Sequence, residues 1–278
     1  MKIKHFIFCV VTICALSLTV LVARANDGGI AWGGSPKLLS SHPSVAMRSE
    51  VITMNVGKEN VTVDCRFVFK NYGRATTVRM GFPDEGGGDL NRAEEVDINT
   101  PDWRKTKPLS TFSSFKSWVN GVPVQTKLVR SDEIAKSWHT KAVRFPTSST
   151  RRVRDLYTVP VGGQIATRGF HSQTSYVLHT GASWRGAIGK SEVIVNFINT
   201  GGARRLKAVA LRSLNVQNPE YVDWDKMPRG TVVYQGPSAP TVRGRTLRFV
   251  RTNWNPTEND DIFLYFNPRD NKGRAQGK

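Results

Sequence analysis

Cysteine is nearly absent from this 278-residue sequence, which has only Cys9, Cys14 and Cys65. Three scattered cysteines exclude a disulfide-rich scaffold and a cysteine-ligated zinc cluster. Acidic residues are also scarce, 22 against 40 Lys plus Arg, for a formal charge of +18. Beyond residue 25 there is no long apolar run, and Ile262 to Phe266 is far too short to cross a bilayer. The sequence has no phosphate loop, no dinucleotide fingerprint and no Gly-x-Ser-x-Gly elbow; Gly236-Pro237-Ser238-Ala239-Pro240 fails at its last position. His42, His139, His171 and His179 show no metal-ligating spacing. What remains, 39% hydrophobic and 22% charged, is too apolar for a disordered chain and long enough to bury a core.

The first 25 residues read as an export signal. Lys2 and Lys4 precede an apolar run from Phe6 to Val22, and Ala23-Arg24-Ala25 supplies a small-x-small cleavage pattern. An uncleaved membrane anchor is the alternative. Cleavage removes Lys2, Lys4 and Arg24, so the charge falls from +18 to +15, and it leaves Cys65 as the sole cysteine. Cys65 shares one face at strand spacing with Val61, Val63, Phe67 and Phe69, which predicts a small buried hydrophobe rather than a reactive thiolate.

Period-two alternation dominates the rest. It predicts strands over 50–56, 60–70, 75–82, 112–119, 122–129, 151–159, 175–179, 191–198, 207–211, 231–235, 246–252 and 261–266. Asn120-Gly121 is the strongest hairpin signal, with Trp118 placed to cover a cross-strand neighbour. One short helix is expected, with Ser131 as N-cap and Ile134 to Trp138 following. The fold class is therefore all-β: two antiparallel β-sandwich modules, 26–135 and a basic 136–268, joined by that helix. A single continuous sandwich is the alternative. Residues 269–278 form a polar, basic tail that should fray.

Several stretches carry a family likeness. Phe67-Val68-Phe69-Lys70-Asn71 leads into Val78-Arg79-Met80-Gly81-Phe82-Pro83, and Val143-Arg144-Phe145-Pro146 follows. Further on come Tyr176 to Gly186, with His179-Thr180-Gly181-Ala182-Ser183-Trp184, and Asn255 to Ile262. Together they resemble a family of exported bacterial proteins carrying a domain of unknown function. The first module is also weakly similar to the vault/inter-alpha-trypsin sandwich. The first resemblance implies export and a β fold, and it brings no catalytic residues with it.

Three features could carry chemistry. Basic residues cluster in the second half, above all Arg243, Arg245 and Arg248, and suit an anionic envelope polymer, lipid headgroups or an acidic protein. Nucleic acid is disfavoured by the export signal and by the absence of a recognised binding motif. Trp184, bracketed by Gly181, Gly186 and Gly189, reads either as a buried indole or as an aromatic platform for a sugar ring. The acidic, glycine-rich stretch 84–97 offers Asp84, Asp89 and Asp97 as calcium candidates, though its spacing is not an EF-hand. The expectation is a non-enzymatic, extracytoplasmic interaction module without a required cofactor. The rivals are an envelope polysaccharide hydrolase using Asp223 and Asp225, and a calcium-stabilised adhesion module.

Overall fold

The structure, a computed structural model, describes residues 32–34, 36–38, 43–85, 110–130, 136–198, 200 and 203–267. The expected leader, Asp89, Asp97 and the basic tail lie outside the described residues. Most of what is described is strand, as the alternation predicts. Ten strands form one sheet: β1 (Trp32–Gly34), β2 (Lys37–Leu38), β5 (Thr76–Glu85), β8 (Lys127–Arg130), β9 (Lys136–Phe145), β11 (Gly162–Ile165), β12 (Phe170–Val177), β14 (Lys207–Ala210), β15 (Thr231–Gln235) and β18 (Ile262–Phe266). Eight form the other: β3 (Val45–Val56), β4 (Asn60–Asn71), β6 (Ser114–Val119), β7 (Val122–Val124), β10 (Thr150–Pro160), β13 (Ile188–Phe197), β16 (Thr241–Arg243) and β17 (Thr246–Trp254).

The order across the larger sheet is β14-β15-β18-β12-β1-β5-β9-β8, and across the smaller β16-β17-β13-β3-β4-β10-β6-β7. Most neighbours are antiparallel, but β1 with β12, β13 with β3, and β14 with β15 run parallel. Each sheet therefore draws strands from both halves of the chain. Of the helix expected over 131–138, residues 131–135 lie outside the described residues and Lys136 to Trp138 belong to β9. Helical structure occurs instead as short 3-10 turns, such as His179–Ser183 and Leu211–Leu214. Among the described residues no helix is long and apolar enough to cross a membrane.

The two sheets enclose one large core. Inward positions of β3, β4, β5, β10 and β13 supply Ile52, Met54, Phe67, Phe69, Phe82, Tyr157 and Val195, with Cys65 fully buried among them. Burial drives the Cys65 thiol far above its ordinary pKa, so it is inert packing, as its alternation predicts. The ten-stranded sheet is also covered on its other face. There Val233 and Tyr265 meet Ala166, Leu211, Val222 and Trp224 in a second, smaller cluster. That second layer explains β12, which is buried at every position from His171 to Val177 although its sequence is largely polar.

Two details of local geometry fix the placement of strands. In β1, a Cβ on Gly33 would lie 2.7 Å from the Tyr157 ring, and one on Gly34 would lie 2.4 Å from the Val177 carbonyl oxygen. Only glycine permits this strand to slot between β12 and β5. The hairpin from β6 to β7 turns at Asn120 and Gly121, with φ of 51° and 83°, the left-handed pair that a two-residue turn requires.

Candidate functional site

The outer face of the eight-stranded sheet follows from period two: wherever one residue enters the core, its neighbours along the strand point out. Across this face the register aligns Trp118, Arg154, Arg66, Val51, Glu192 and Val250 in one row. Lys116, Leu156, Asp64, Thr53, Ile194, Arg248 and Thr241 form the next. Arg152 and Arg243 add further exposed cations. The outward acids among the described residues of these strands are Asp64 and Glu192, and each serves two cations.

Arg154 grips Asp64 with two bonds of 2.8 and 3.0 Å, and Arg66 adds another at 3.0 Å. This bridging offsets the repulsion of Arg154 and Arg66, which stand directly opposite one another. Partial burial works to raise the Asp64 pKa, but the bonds from Arg154 and Arg66 outweigh it and leave the carboxyl below its ordinary value. The Arg248 bond at 2.8 Å, with Lys190 at 3.1 Å, likewise holds Glu192 low. Trp118 lies under the Arg154 guanidinium, 5.0 Å from ring centroid to Cζ, which is the cross-strand cover its position predicts.

The residues singled out from the sequence meet different fates. Arg243 and Arg248 lie on the exposed face just described. Arg245 does not join them: its guanidinium donates to the Phe197 carbonyl at 2.8 Å, the Ala203 carbonyl at 3.0 Å and the Thr200 hydroxyl. It is a clamp on the chain after β13, committed to backbone acceptors and unable to meet a ligand. Trp184 is also corrected, because it is 3% exposed. Its indole N–H donates to the Pro36 carbonyl at 2.7 Å and its ring packs on Phe69 at 4.4 Å, so it anchors the segment between β1 and β2 and is no platform for a sugar. The same corner is fixed by Asp261, which accepts from the Leu178 and His179 backbone N–H groups and contacts His179 Nδ1 at 2.7 Å.

Asp84 sits at the end of β5 with its carboxylate already filled. Oδ1 accepts from the Thr111 N–H and hydroxyl, while Oδ2 accepts from the Ser110 hydroxyl at 2.6 Å and lies 3.0 Å from His139 Nε2. With its oxygens engaged by donors, Asp84 is a staple between β5 and the segment entering β6, which overturns its reading as a calcium ligand. No cluster of three or more His, Cys, Asp or Glu able to hold a metal occurs among the described residues. Asp223 is ion-paired to Arg168 at 3.4 Å and Lys226 at 3.2 Å beside an open groove of about 320 Å³. Trp224, between Asp223 and Asp225, is fully buried in the second cluster and cannot wall a sugar cleft.

Polar groups inside the sandwich form a constellation that no motif announced. His139 stacks on Phe115 at 4.1 Å while contacting Asp84. Two residues on, Lys141 of β9 reaches across to Asp155 of β10, Nζ lying 2.5 and 2.7 Å from the two carboxylate oxygens. A groove of about 430 Å³ opens alongside, lined by Phe115, Ser117, Trp118, Val124, Gln125 and Thr126 among others. The signal available in the sequence was the charged residue at an inward position of each strand, Lys141 and Asp155.

Residues 25–152 match the family described as a domain of unknown function (DUF4424). The match lends nothing to the vault/inter-alpha-trypsin likeness. No curated protein matches the sequence. Among solved structures, a crystal structure from Legionella pneumophila, described provisionally as a nutrient binding protein, superposes with a TM-score of 0.61 at 19% identity. It covers 87% of this chain and 73% of its own, and it establishes likeness of fold. An M1 zinc metallopeptidase from Deinococcus radiodurans reaches a TM-score of 0.33 at 10% identity, over 81% of this chain and 43% of its own, which bears on neither fold nor chemistry here.

Proposed function

We propose that this protein is a non-enzymatic binding module working outside the cytoplasm, at the cell envelope, and that the outer face of its eight-stranded sheet takes an anionic polymer. The observation that carries the reading is the cation excess on that face. Arg66, Lys116, Arg152, Arg154, Arg243 and Arg248 project from it, while Asp64 and Glu192 are each shared between two cations. A flat sheet with spaced guanidinium groups suits repeated carboxylates or phosphates, which arginine can meet with two parallel bonds. The provisional description of the Legionella protein as nutrient binding supports a binding role in general terms.

Retention on immobilised heparin or polygalacturonate tests this. Retention should weaken steeply from low to high salt, because exposed charges are screened. The triple variant Lys116→Glu, Arg152→Glu, Arg243→Glu should elute earlier than the parent. Retention that ignores both salt and charge reversal refutes the proposal.

A further inference from the structure

The Lys141–Asp155 pair is chemically unusual in a way that an ion pair does not exhaust. Its side chains are 2% and 0% exposed, and they join β9 of one sheet to β10 of the other. Asp84 satisfies its oxygens with several donors, whereas the described structure gives the Asp155 carboxylate no donor other than Lys141. Its other neighbours include Val153 and Tyr157 along its own strand, Cys65 opposite on β4, and Met80 and Val143 beside Lys141. Two ions removed from water this completely lose more hydration than a single contact returns, so a bare buried pair is a poor device for stability alone.

The distances point to a different use. A carboxylate carbon lies between its two oxygens, so Nζ at 2.5 and 2.7 Å from them is within about 3 Å of Cγ, the separation of a near-attack conformer. We propose that Lys141 and Asp155 are joined by an intramolecular amide bond, formed in the folded protein. One proton moving along the short hydrogen bond converts ammonium and carboxylate into amine and carboxylic acid without exchange with solvent. The Nζ lone pair then attacks Cγ, the N–C bond forms, and a C–O bond breaks. Two of the three ammonium protons leave with one carboxylate oxygen as water, so the step needs no oxidant, reductant or co-reactant.

The neighbourhood supplies an exit. Ser117 stands directly across from Asp155 on β6, and its hydroxyl is buried without a hydrogen-bond partner. Ser117 also lines the groove of about 430 Å³ between Phe115 and Gln125, a path by which the water can leave. The product would tie the two sheets together covalently, which suits an exported chain whose one mature cysteine cannot form an internal disulfide. This inference stands apart from the proposed polymer-binding face.

Mass spectrometry of the purified full chain, with its N-terminus determined in the same sample, decides the matter. The parent should be lighter by one water than its sequence, and trypsin should fail to cut at Lys141. A cross-linked peptide should contain residues 141 and 155. Lys141→Met and Asp155→Ala should each show their full sequence mass. A folded parent that keeps its full mass after prolonged incubation overturns the proposal, whether or not the variants fold. A water loss that persists in Lys141→Met overturns it equally.

Discussion

Replacing His171 with leucine should abolish a distinct phase of acid destabilisation. His171 is fully buried on β12, stacked on Trp224 at 5.1 Å and edge-on to Tyr265 at 5.7 Å, and neither ring nitrogen has a hydrogen-bond partner. Burial pushes its pKa from 6.5 down to about 4. The unfolded chain therefore takes up a proton below pH 6.5 that the folded chain refuses until about pH 4, so stability is full above 6.5 and is lost as the pH falls toward 4. At 1.36 kcal/mol per unit, a drop of that size amounts to about 3 kcal/mol. Leucine is close in volume, removes both unpaired nitrogens and titrates nowhere in this range. Urea unfolding followed by tryptophan fluorescence at several pH values between 7 and 4 gives the comparison. The parent should lose about 3 kcal/mol more than His171→Leu over that interval, with the variant at least as stable as the parent at pH 7. Parallel pH profiles for the two proteins would refute the reasoning, because the carboxylates common to both cannot produce a difference.

Two further outcomes follow from close contacts. Gly34→Ala drives a methyl into the Val177 backbone and should unseat β1 from β12, lowering stability by about 1–3 kcal/mol; a melting temperature equal to the parent's would contradict the close approach. Asp84→Ala strands the Ser110, Thr111 and His139 donors in a buried setting and should cost about 3 kcal/mol in denaturant unfolding, and a loss below the error of the measurement would remove its role as a staple.

Strands whose inward residues are apolar were legible, and those with polar interiors were not. Val61, Val63, Cys65, Phe67 and Phe69 announce β4, and Val193, Val195 and Phe197 announce β13. In β9 the inward positions include His139 and Lys141, so the alternation is hidden, and Ser131-Asp132-Glu133 ahead of it reads as a helix start in the sequence. In β12 the polar run His171 to Ser175 conceals a strand buried on both faces, because a second hydrophobic layer covers it. The site residues divide in the same way. Arg243 and Arg248 are exposed at the strand spacing that predicts it, whereas Arg245 turns inward to backbone carbonyls that no sequence window contains.

Alternation, turn residues and composition alone specify an all-β chain with a buried Cys65, a two-residue hairpin at Asn120-Gly121 and a large excess of positive charge. Those properties depend on the period-two pattern, local turn chemistry and composition, which act over a few residues. Long-range packing sets which sheet each strand joins, that Trp184 and Arg245 serve the fold, and that Lys141 meets Asp155 between the sheets. Such pairings join residues far apart in the chain or on different sheets, where side-chain identity matters less than the register and stacking that bring the strands together.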